Sequence, residues 1–514
     1  MRKTLAAALL LMITLACDAQ VGKYVYDQSS QRAWLEEYFK LVAIPNVLGD
    51  SVNMERNALF ISEMLNRRGV KATLLRSAKA GSAPVVFGEV ITPGAHTTIA
   101  FYAHYDGQPV NPQQWAAGLS PFEPSLYSKR IDLGGKPVGF PTQGQSIDPT
   151  WRMYGRGSAD DKAGVFAIIA GYEAIVRSKQ KPTVNIKFFF EGEEEAGSPY
   201  LHEIFRQNKA LLQADIWVIC DGPRHVSGRK QVVFGVRGDI NLDLTVYGAK
   251  RPLHSGNYGN WAPNPAMRLA QLLASMKDEN GMVTINGFYD DVVPLTDAER
   301  KAMATMPAVE QSLKDDLALS KPDGNGKTMA ELITLPTLNI NGMQSGNTGA
   351  MASNVIPTEA SAVLDLRLVP GNDKDRQVAK VIAHIESRGY KVLDHKPSDD
   401  ERISYPLIAT VTSRGKGYNA QRTPMDLPLA SRIVEAVSTT TSDQVIAVPS
   451  LGGSLPLFLF EQYLNTKPVT IPVVNYDNNQ HAENENVMLQ YLWEGVETMA
   501  AVMQMQQVKA GRSK

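Results

Sequence analysis

The sequence predicts an α/β protein with a mostly parallel sheet, into which a second, α+β domain is inserted. Short apolar runs alternate with helical spacing of apolar residues from about residue 31 to 221. Residues 236–413 carry strand patterns with amphipathic helices, and the α/β pattern returns at about residue 414. Strands that alternate with helices favour a parallel sheet covered on both faces. A chain of 514 residues is too long for one core, so two domains are expected.

The first nineteen residues are typical of a secretory signal peptide. Arg2 and Lys3 precede an apolar stretch, residues 5–15, that is too short to span a bilayer. Export to the periplasm or secretion is therefore expected. The alternative is a lipid anchor at Cys17, because Leu15-Ala16-Cys17 resembles part of a bacterial lipobox. The domains that we expect are a signal peptide (1–19), a first part of the α/β domain (20–235), an inserted domain (236–413) and a second part of the α/β domain (414–514).

The spacing of apolar residues predicts the helices and strands of the first part of the α/β domain, residues 20–235. Apolar residues at helical spacing predict helices at 34–42, 54–68 and 163–178. Short β-rich runs bounded by turn residues predict strands at 97–103, 184–190 and 216–219.

The same patterns place the later elements. We expect strands at 241–247, 360–368, 444–448 and 469–474, and helices at 266–276, 376–387, 431–437 and 486–507. Residues 127–150 and 278–346 carry few periodic signals, which predicts loops.

Acidic residues and histidines follow several of the predicted strands. Ligands of such sheets bind beyond the carboxyl ends of the strands, so these side chains are expected on one rim. Two histidines with three or more carboxylates suit a pair of divalent metals that share a bridging carboxylate and activate water for hydrolysis. The residues are His104, Asp106, Asp160, Asp161, Glu194, Glu195, Asp221 and His481.

Each of these signals is weak alone. An aspartate in Gly157-Ser158-Ala159-Asp160-Asp161 could simply cap the following helix rather than bind a metal. Acidic runs are usually solvated. The run at 191–195, however, follows an apolar strand, where adjacent glutamates could hold a metal and take a proton from water. A lone histidine such as His254 is more often structural. Arg367 could grip a carboxylate or form a surface salt bridge.

The composition gives no support for nucleic-acid binding, membrane binding or an internal disulfide. The 52 basic and 53 acidic residues leave a formal charge of -1, so nothing favours nucleic acid or an anionic membrane. No later apolar stretch is long enough for a transmembrane helix. Cys17 and Cys220 are the only cysteines. An internal disulfide is not expected, and Cys220, within an apolar run, is expected to fill the core.

The ordered set of motifs resembles the dinuclear zinc metallopeptidases, a family that includes carnosine dipeptidases, aminoacylases and glutamate carboxypeptidases. The resemblance covers nearly the whole mature chain. The matching segments are 103–106, 155–162, 191–198, Asp221, 253–256, Asn264-Pro265, 353–357 with Arg367, Gly452-Gly453-Ser454 and 481–485. Gly107 and a longer segment before Tyr154 depart from the usual pattern and bear on substrate size.

The resemblance implies a role for each matched residue. His104 and Asp221 would hold one metal, Glu195 and His481 the other, and Asp160 would bridge the two. Zinc ions are expected, and manganese or cobalt would also suit these ligands. Glu194 would be the general base, supported by Asp106. His254, from a ferredoxin-like lid that also forms a homodimer, would stabilise the oxyanion. Arg367, Gly453 and Ser454 would bind the substrate carboxylate.

Three functions remain open from the sequence. The first is hydrolysis of dipeptides or short peptides with a free C-terminal carboxylate. The second is hydrolysis of N-acyl amino acids, for which the same arginine serves. The third is a non-catalytic binding protein with this fold, which should lack a ligand or the base; the sequence lacks neither.

Overall fold

The computed structural model describes residues 28–507. The predicted signal peptide and Cys17 lie outside this range.

The strands are, in chain order, β1 (Ala72–Leu75), β2 (Val85–Val90), β3 (Thr98–His104), β4 (Ser125–Tyr127), β5 (Pro137–Val138), β6 (Arg152–Tyr154), β7 (Asn185–Glu191), β8 (Ile216–Ile219), β9 (Gln231–Val233), β10 (Gly235–Tyr247), β11 (Leu253–His254), β12 (Thr337–Gln344), β13 (Val355–Ile356), β14 (Glu359–Leu368), β15 (Lys391–Leu393), β16 (Ile408–Tyr418), β17 (Gln421–Arg422), β18 (Ile446–Val448), β19 (Leu451–Ser454), β20 (Pro468–Thr470) and β21 (Asn486–Met488).

The α-helices between them vary from one turn to four. They are α1 (Gln28–Val42), α2 (Ser51–Arg67), α3 (Lys162–Arg177), α4 (Leu201–Gln207), α5 (Ser255–Tyr258), α6 (Pro265–Ala274), α7 (Asp297–Ala304), α8 (Glu310–Asp316), α9 (Met329–Ile333), α10 (Lys374–Ser387), α11 (Asp399–Ser404), α12 (Pro428–Ser438) and α13 (Leu489–Met503).

The first sheet has eight strands in the order β1-β2-β7-β3-β8-β20-β9-β18. Its centre, β7-β3-β8-β20, is parallel, and antiparallel pairs join β1, β2 and β7 at one side. The apolar runs of β3, β7 and β8 are buried because helices cover both faces. The predicted α/β fold with a mostly parallel sheet is confirmed.

Helices α3 and α13 pack closely against each other beside this sheet. A Cβ at Gly171 of α3 would lie 3.0 Å from the Ala500 backbone nitrogen of α13, so only glycine permits this approach. Cys220 is buried in the same core, as predicted.

The second sheet is mostly antiparallel and has its own core. Its main strands are ordered β12-β14-β10-β16-β15, and α6 and α10 pack on it. These strands belong to residues 235–418, so a separate antiparallel domain is confirmed. The long strand β10 also pairs with β19, which lies in the chain between β18 and β20 of the first sheet. The exact domain boundaries given above stay a prediction.

Several predicted elements need correction. The long helix expected at 486–507 is a strand, β21, followed by α13, because Asn486–Met488 pairs with β6. Residues 278–346 hold α7, α8, α9 and all of β12, and residues 127–150 hold β5, rather than loops alone. Capping boxes at Thr296 and Thr328 start α7 and α9, a local signal that was available in the sequence.

No helix among residues 28–507 combines the length and apolar character that a bilayer crossing requires.

Candidate active site

The carboxyl end of β3 places His104 at the centre of a buried polar cluster. Its ring is fully buried, and its Nε2 lies 3.1 Å from Asp160 Oδ1 and 3.8 Å from Asp221 Oδ2. Asp221 follows β8, which is the parallel neighbour of β3. Adjacent parallel strands therefore bring two of the predicted ligands to one point.

His481 approaches the same cluster from the other side. Its Nε2 lies 3.0 Å from Asp160 Oδ2 and 3.3 Å from Glu195 Oε2. Each oxygen of the Asp160 carboxylate thus faces a different histidine. The structure brings together all five residues predicted as metal ligands, with Asp160 between the two halves.

Asp161 is also close enough to join a metal site. One ligand atom from each of His104, Asp161 and Asp221 lies within 4.8 Å of the others, and so do atoms of Asp160, Glu195 and His481. The Asp161 carboxylate, however, accepts the backbone N–H of Gly164 at 3.1 Å and that of His104 at 3.3 Å. It caps α3, which is the ordinary role of an aspartate before a helix.

Asp106 orients the loop that carries the two glutamates. Its carboxylate accepts the backbone N–H groups of Glu194 at 3.2 Å and Glu195 at 3.0 Å. Its Oδ1 also lies 3.3 Å from His104 Nδ1. Glu194 Oε2 lies 3.8 Å from His104 Nε2 and borders the open cavity. Asp106 is therefore placed to support both His104 and the candidate base.

Burial and repulsion among the carboxylates shift the acid–base properties of the cluster. Burial raises the pKa of Asp221 to about 7 and that of Glu194 well above its usual value. Hydrogen bonds to Asp160 and Glu195 raise the pKa of His481 to about 10. Burial alone would raise the pKa of Asp160, but His104 and His481 hold it below its usual value. The cluster thus concentrates negative charge that cations would stabilise.

The donor set fits divalent cations. Glu195 Oε1 is buried and has no hydrogen-bond partner in the described residues, while its Oε2 accepts the side-chain amide of Gln108 at 2.8 Å. An orphaned carboxylate oxygen in a residue beside the His481 imidazole is costly without a cation. Imidazole and carboxylate ligands suit zinc, manganese and cobalt alike.

A cavity of about 680 Å³ opens from this cluster toward the second sheet. Arg367 of β14 lies in its wall and donates from Nη1 to Ser454 Oγ at 2.9 Å. Gly453 and Ser454 of β19 line the same wall. They belong to a short strand parallel to β10. The predicted substrate-binding residues thus share one cavity with the predicted metal ligands.

His254 is not brought to this cavity within one chain. Its side chain is exposed, and its Nδ1 accepts the Gly256 N–H at 3.1 Å. It is absent from the cavity lining among residues 28–507. Its predicted role at the reacting carbonyl therefore requires a second chain or a different arrangement of the domains.

Two supporting residues were not singled out from the sequence. The buried Glu485 carboxylate accepts the backbone N–H groups of Gly157, Ala159 and Asp160 and pairs with Arg156 at 2.7 Å. It lies four residues after His481, inside the matching segment 481–485, and its polar sequence neighbours give no sign of its burial.

The second such residue is Asn46, whose side-chain amide donates to Tyr105 O at 3.0 Å. A Cβ at Gly107 would lie 2.8 Å from Asn46 Nδ2. This close approach explains why glycine follows Asp106 in this chain.

Comparison with known proteins agrees with this geometry. Residues 100–505 match peptidase family M20/M25/M40. The chain belongs to this family. It is 26% identical to human Beta-Ala-His dipeptidase over 81% of this chain and 76% of that protein. It is also 26% identical to Cys-Gly metallodipeptidase DUG1 of Saccharomyces cerevisiae, over 90% of this chain and 93% of the relative.

Solved structures show the same fold. The M20 family metallo-carboxypeptidase Sso-CP2 of Sulfolobus solfataricus superposes with a TM-score of 0.73 at 26% identity, covering 91% of this chain and 98% of that one. Human carnosine dipeptidase 1 gives a TM-score of 0.70 at 23% identity, covering 92% of this chain and 95% of its own. The protein is therefore an M20 metallopeptidase of the dipeptidase and carboxypeptidase type.

Proposed function

We propose that this protein hydrolyses the peptide bond of dipeptides or short peptides that have a free C-terminal carboxylate. The observation that carries the proposal is the Asp160 carboxylate, which faces His104 with one oxygen and His481 with the other. The cavity beside it ends at Arg367. Two of the relatives are named for dipeptides, Beta-Ala-His and Cys-Gly, which supports the substrate class.

The residues that would hold two cations are His104 and Asp221 on one side, Glu195 and His481 on the other, and Asp160 between them. When bound, the cations would lower the pKa of a water molecule and polarise the scissile carbonyl. Zinc is the ion that we propose, and manganese or cobalt would suit the same side chains.

Glu194 is the proposed general base. Its carboxylate borders the cavity and lies beside His104, and its raised pKa favours taking a proton. The proton moves from the attacking water to Glu194 and then to the leaving amine. Asp106 holds the Glu194 backbone in place through its N–H group.

Arg367 and the β19 segment are the proposed anchor for the substrate carboxylate. Arg367 Nη1 already donates to Ser454 Oγ, and Nε faces Asp365 at 3.0 Å. The remaining guanidinium nitrogen, Nη2, has no hydrogen-bond partner within residues 28–507 and is free to bind an incoming carboxylate.

A homodimer is part of the proposal, because His254 is exposed and does not line the cavity of its own chain among residues 28–507. A second copy would bring this imidazole to the developing oxyanion. Sedimentation at several protein concentrations, combined with the activity of His254→Ala, tests this step. A fully active monomer would refute it.

Export from the cytoplasm is proposed on the N-terminal sequence alone, with lipid attachment at Cys17 as the alternative. Mass analysis of the mature N-terminus distinguishes cleavage after residue 19 from a lipidated cysteine.

The decisive experiment uses the purified protein loaded with zinc, manganese or cobalt. We expect two metal equivalents per chain and turnover of dipeptides, lost on chelation and restored by the metal. Preference for N-acetyl amino acids over every dipeptide would favour the aminoacylase-type function instead. Purification without metal and without turnover would indicate a binding protein.

A matched pair of variants tests the base. Glu194→Ala should keep both metals and lose turnover by about 10²–10⁴-fold, the usual contribution of general base catalysis. Glu194→Gln keeps the side-chain volume and should show the same loss of turnover with both metals retained. Substantial activity in either purified variant contradicts the assigned role.

A further inference from the structure

The wall of the cavity opposite the metal cluster contains a carboxylate that the proposed reaction does not use. In the second sheet, Asp239 of β10 pairs directly with Arg367 of β14 on one side and with Tyr418 of β16 on the other. Residues directly opposite each other on neighbouring antiparallel strands point to the same face. Arg367, Asp239 and Tyr418 therefore form one row, and all three line the cavity.

Asp239 is weakly engaged compared with its neighbour Asp365. Arg367 Nε lies 3.0 Å from Asp365 and 3.7 Å from Asp239. The Asp239 carboxylate also contacts the Asn241 side-chain amide, at 3.2 and 3.4 Å, and the carboxyl group of Asp365. Asp365 is thus the carboxylate that holds Arg367. Asp239 keeps hydrogen-bonding capacity toward the cavity.

The third member of the row supplies an aromatic surface. The Tyr418 ring stacks on Phe458 with centroids 5.9 Å apart. Gly417 brings its strand close to β10, since a Cβ there would lie 2.7 Å from the Asp239 carbonyl oxygen. A long alkyl chain ending in a cation would meet an aromatic face and a carboxylate at this wall.

We propose that Asp239 selects peptides whose C-terminal residue carries a positively charged side chain, such as lysine or arginine. This inference rests on the proposed function, in which Arg367 and Ser454 hold the C-terminal carboxylate. Asp239 lies one strand away from Arg367, about 5 Å across the sheet. A lysine or arginine side chain leaving the same Cα can span that distance, whereas that of alanine cannot.

The charges of the wall agree with this assignment. Burial and the adjacent Asp365 raise the pKa of Asp239 to about 6, so the carboxylate is ionised at pH 7.5. The guanidinium of Arg367 is shared between Asp365 and the incoming substrate carboxylate. Arg367, at 3.7 Å, is thus only a partial counter-ion for Asp239. A cationic substrate side chain would add a second one, and a neutral side chain would not.

The experiment compares two dipeptides that differ in one charge, Ala-Lys and Ala-norleucine, with the zinc-loaded protein at pH 7.5. We expect kcat/KM to favour Ala-Lys by about fivefold, the upper end of what a solvent-accessible ion pair contributes. The preference should appear in KM and decrease with added salt. In Asp239→Asn, and in the smaller Asp239→Ser, the ratio should fall to near one.

Asp243→Asn is the matched control. Asp243 lies on the same strand, pairs with Arg414 at 2.7 Å and is not part of the cavity lining, so the control should keep the preference. Equal kcat/KM for both peptides in the unmodified protein overturns the inference. An equal loss for both peptides in Asp239→Asn also overturns it, because Asp239 would then only position Arg367. If neither peptide is cleaved at all, the proposed function itself fails.

Discussion

Replacing Glu485 with alanine is expected to destabilise the protein and to weaken metal binding, although this residue contacts no predicted metal. Its carboxylate accepts three backbone N–H groups of the segment 157–160 and pairs with the buried Arg156. Asp160 therefore owes its position between the two histidines in part to this carboxylate.

The magnitude follows from what the substitution leaves behind. Arg156 keeps one partner, Ala482 O at 3.0 Å, and loses its counter-ion while remaining buried. Breaking a buried ion pair in this way costs about 3–5 kcal/mol. With an unfolding entropy of about 2.1 cal/mol/K per residue over roughly 480 residues, a loss of about 4 kcal/mol lowers the melting temperature by about 4 °C. Metal affinity should fall by about 10–100-fold, as for other groups that orient a ligand.

The assay is thermal unfolding of the metal-free protein, followed by zinc titration against a chelator of known affinity. Glu483→Ala is the control, since Glu483 is exposed and only two residues away. It should change neither quantity. A Glu485→Ala protein that melts at the unmodified temperature and binds zinc with unmodified affinity would refute the reasoning.

Three further predictions follow from the site. Arg367→Ala should raise KM by about 10–100-fold with a smaller change in kcat, because a charge-assisted hydrogen bond to the substrate contributes about 1.5–3 kcal/mol; a rise in KM below twofold would contradict this. His481 has a pKa of about 10 in the metal-free cluster and is protonated at pH 7, so metal binding must release its proton and metal affinity should rise with pH up to that value. Calorimetry in buffers of different ionisation enthalpy measures the release, and no release would contradict the prediction. Gly417→Ala should cost about 1–3 kcal/mol and impair substrate binding, because the new methyl group meets the Asp239 carbonyl. Gly415→Ala, also at positive φ but in open space, is the control and should cost less.

The parallel sheet and its polar rim were predictable because both depend on local signals. The strands predicted at 97–103, 184–190 and 216–219 end within one residue of the observed β3, β7 and β8, whereas the one predicted at 469–474 runs four residues beyond β20. Parallel topology then placed His104, Glu194 and Asp221 on the same side. The joint order of the motifs, rather than any one of them, indicated a dinuclear centre. Residue type and spacing alone do not separate Asp160 from Asp161, since both can cap a helix and both can ligate. The family resemblance implied Asp160 as the bridge. Their different hydrogen bonds separate the two in the structure.

What sequence reasoning missed depends on pairing between distant segments. The row formed by Arg367, Asp239 and Tyr418 requires the register of three strands whose pairing no local pattern specifies. The misassigned start of the last helix has the same origin, because Asn486–Met488 forms a strand only through its pairing with β6. For His254, the sequence motif is easy to recognise but the position in the structure is not predictable. Its motif was recognised, yet its own chain leaves it away from the cavity.

The hydrogen bonds between Glu485 and the backbone of residues 157–160 have a consequence for biosynthesis. More than 300 residues separate these two partners in the chain. The same late segment also contributes His481. A ribosome-bound chain that has already produced the first sheet's early strands still lacks one half of the cluster. The peptidase thus stays inert during most of its own translation, and a copy that ends prematurely before residue 481 could not become an unregulated hydrolase.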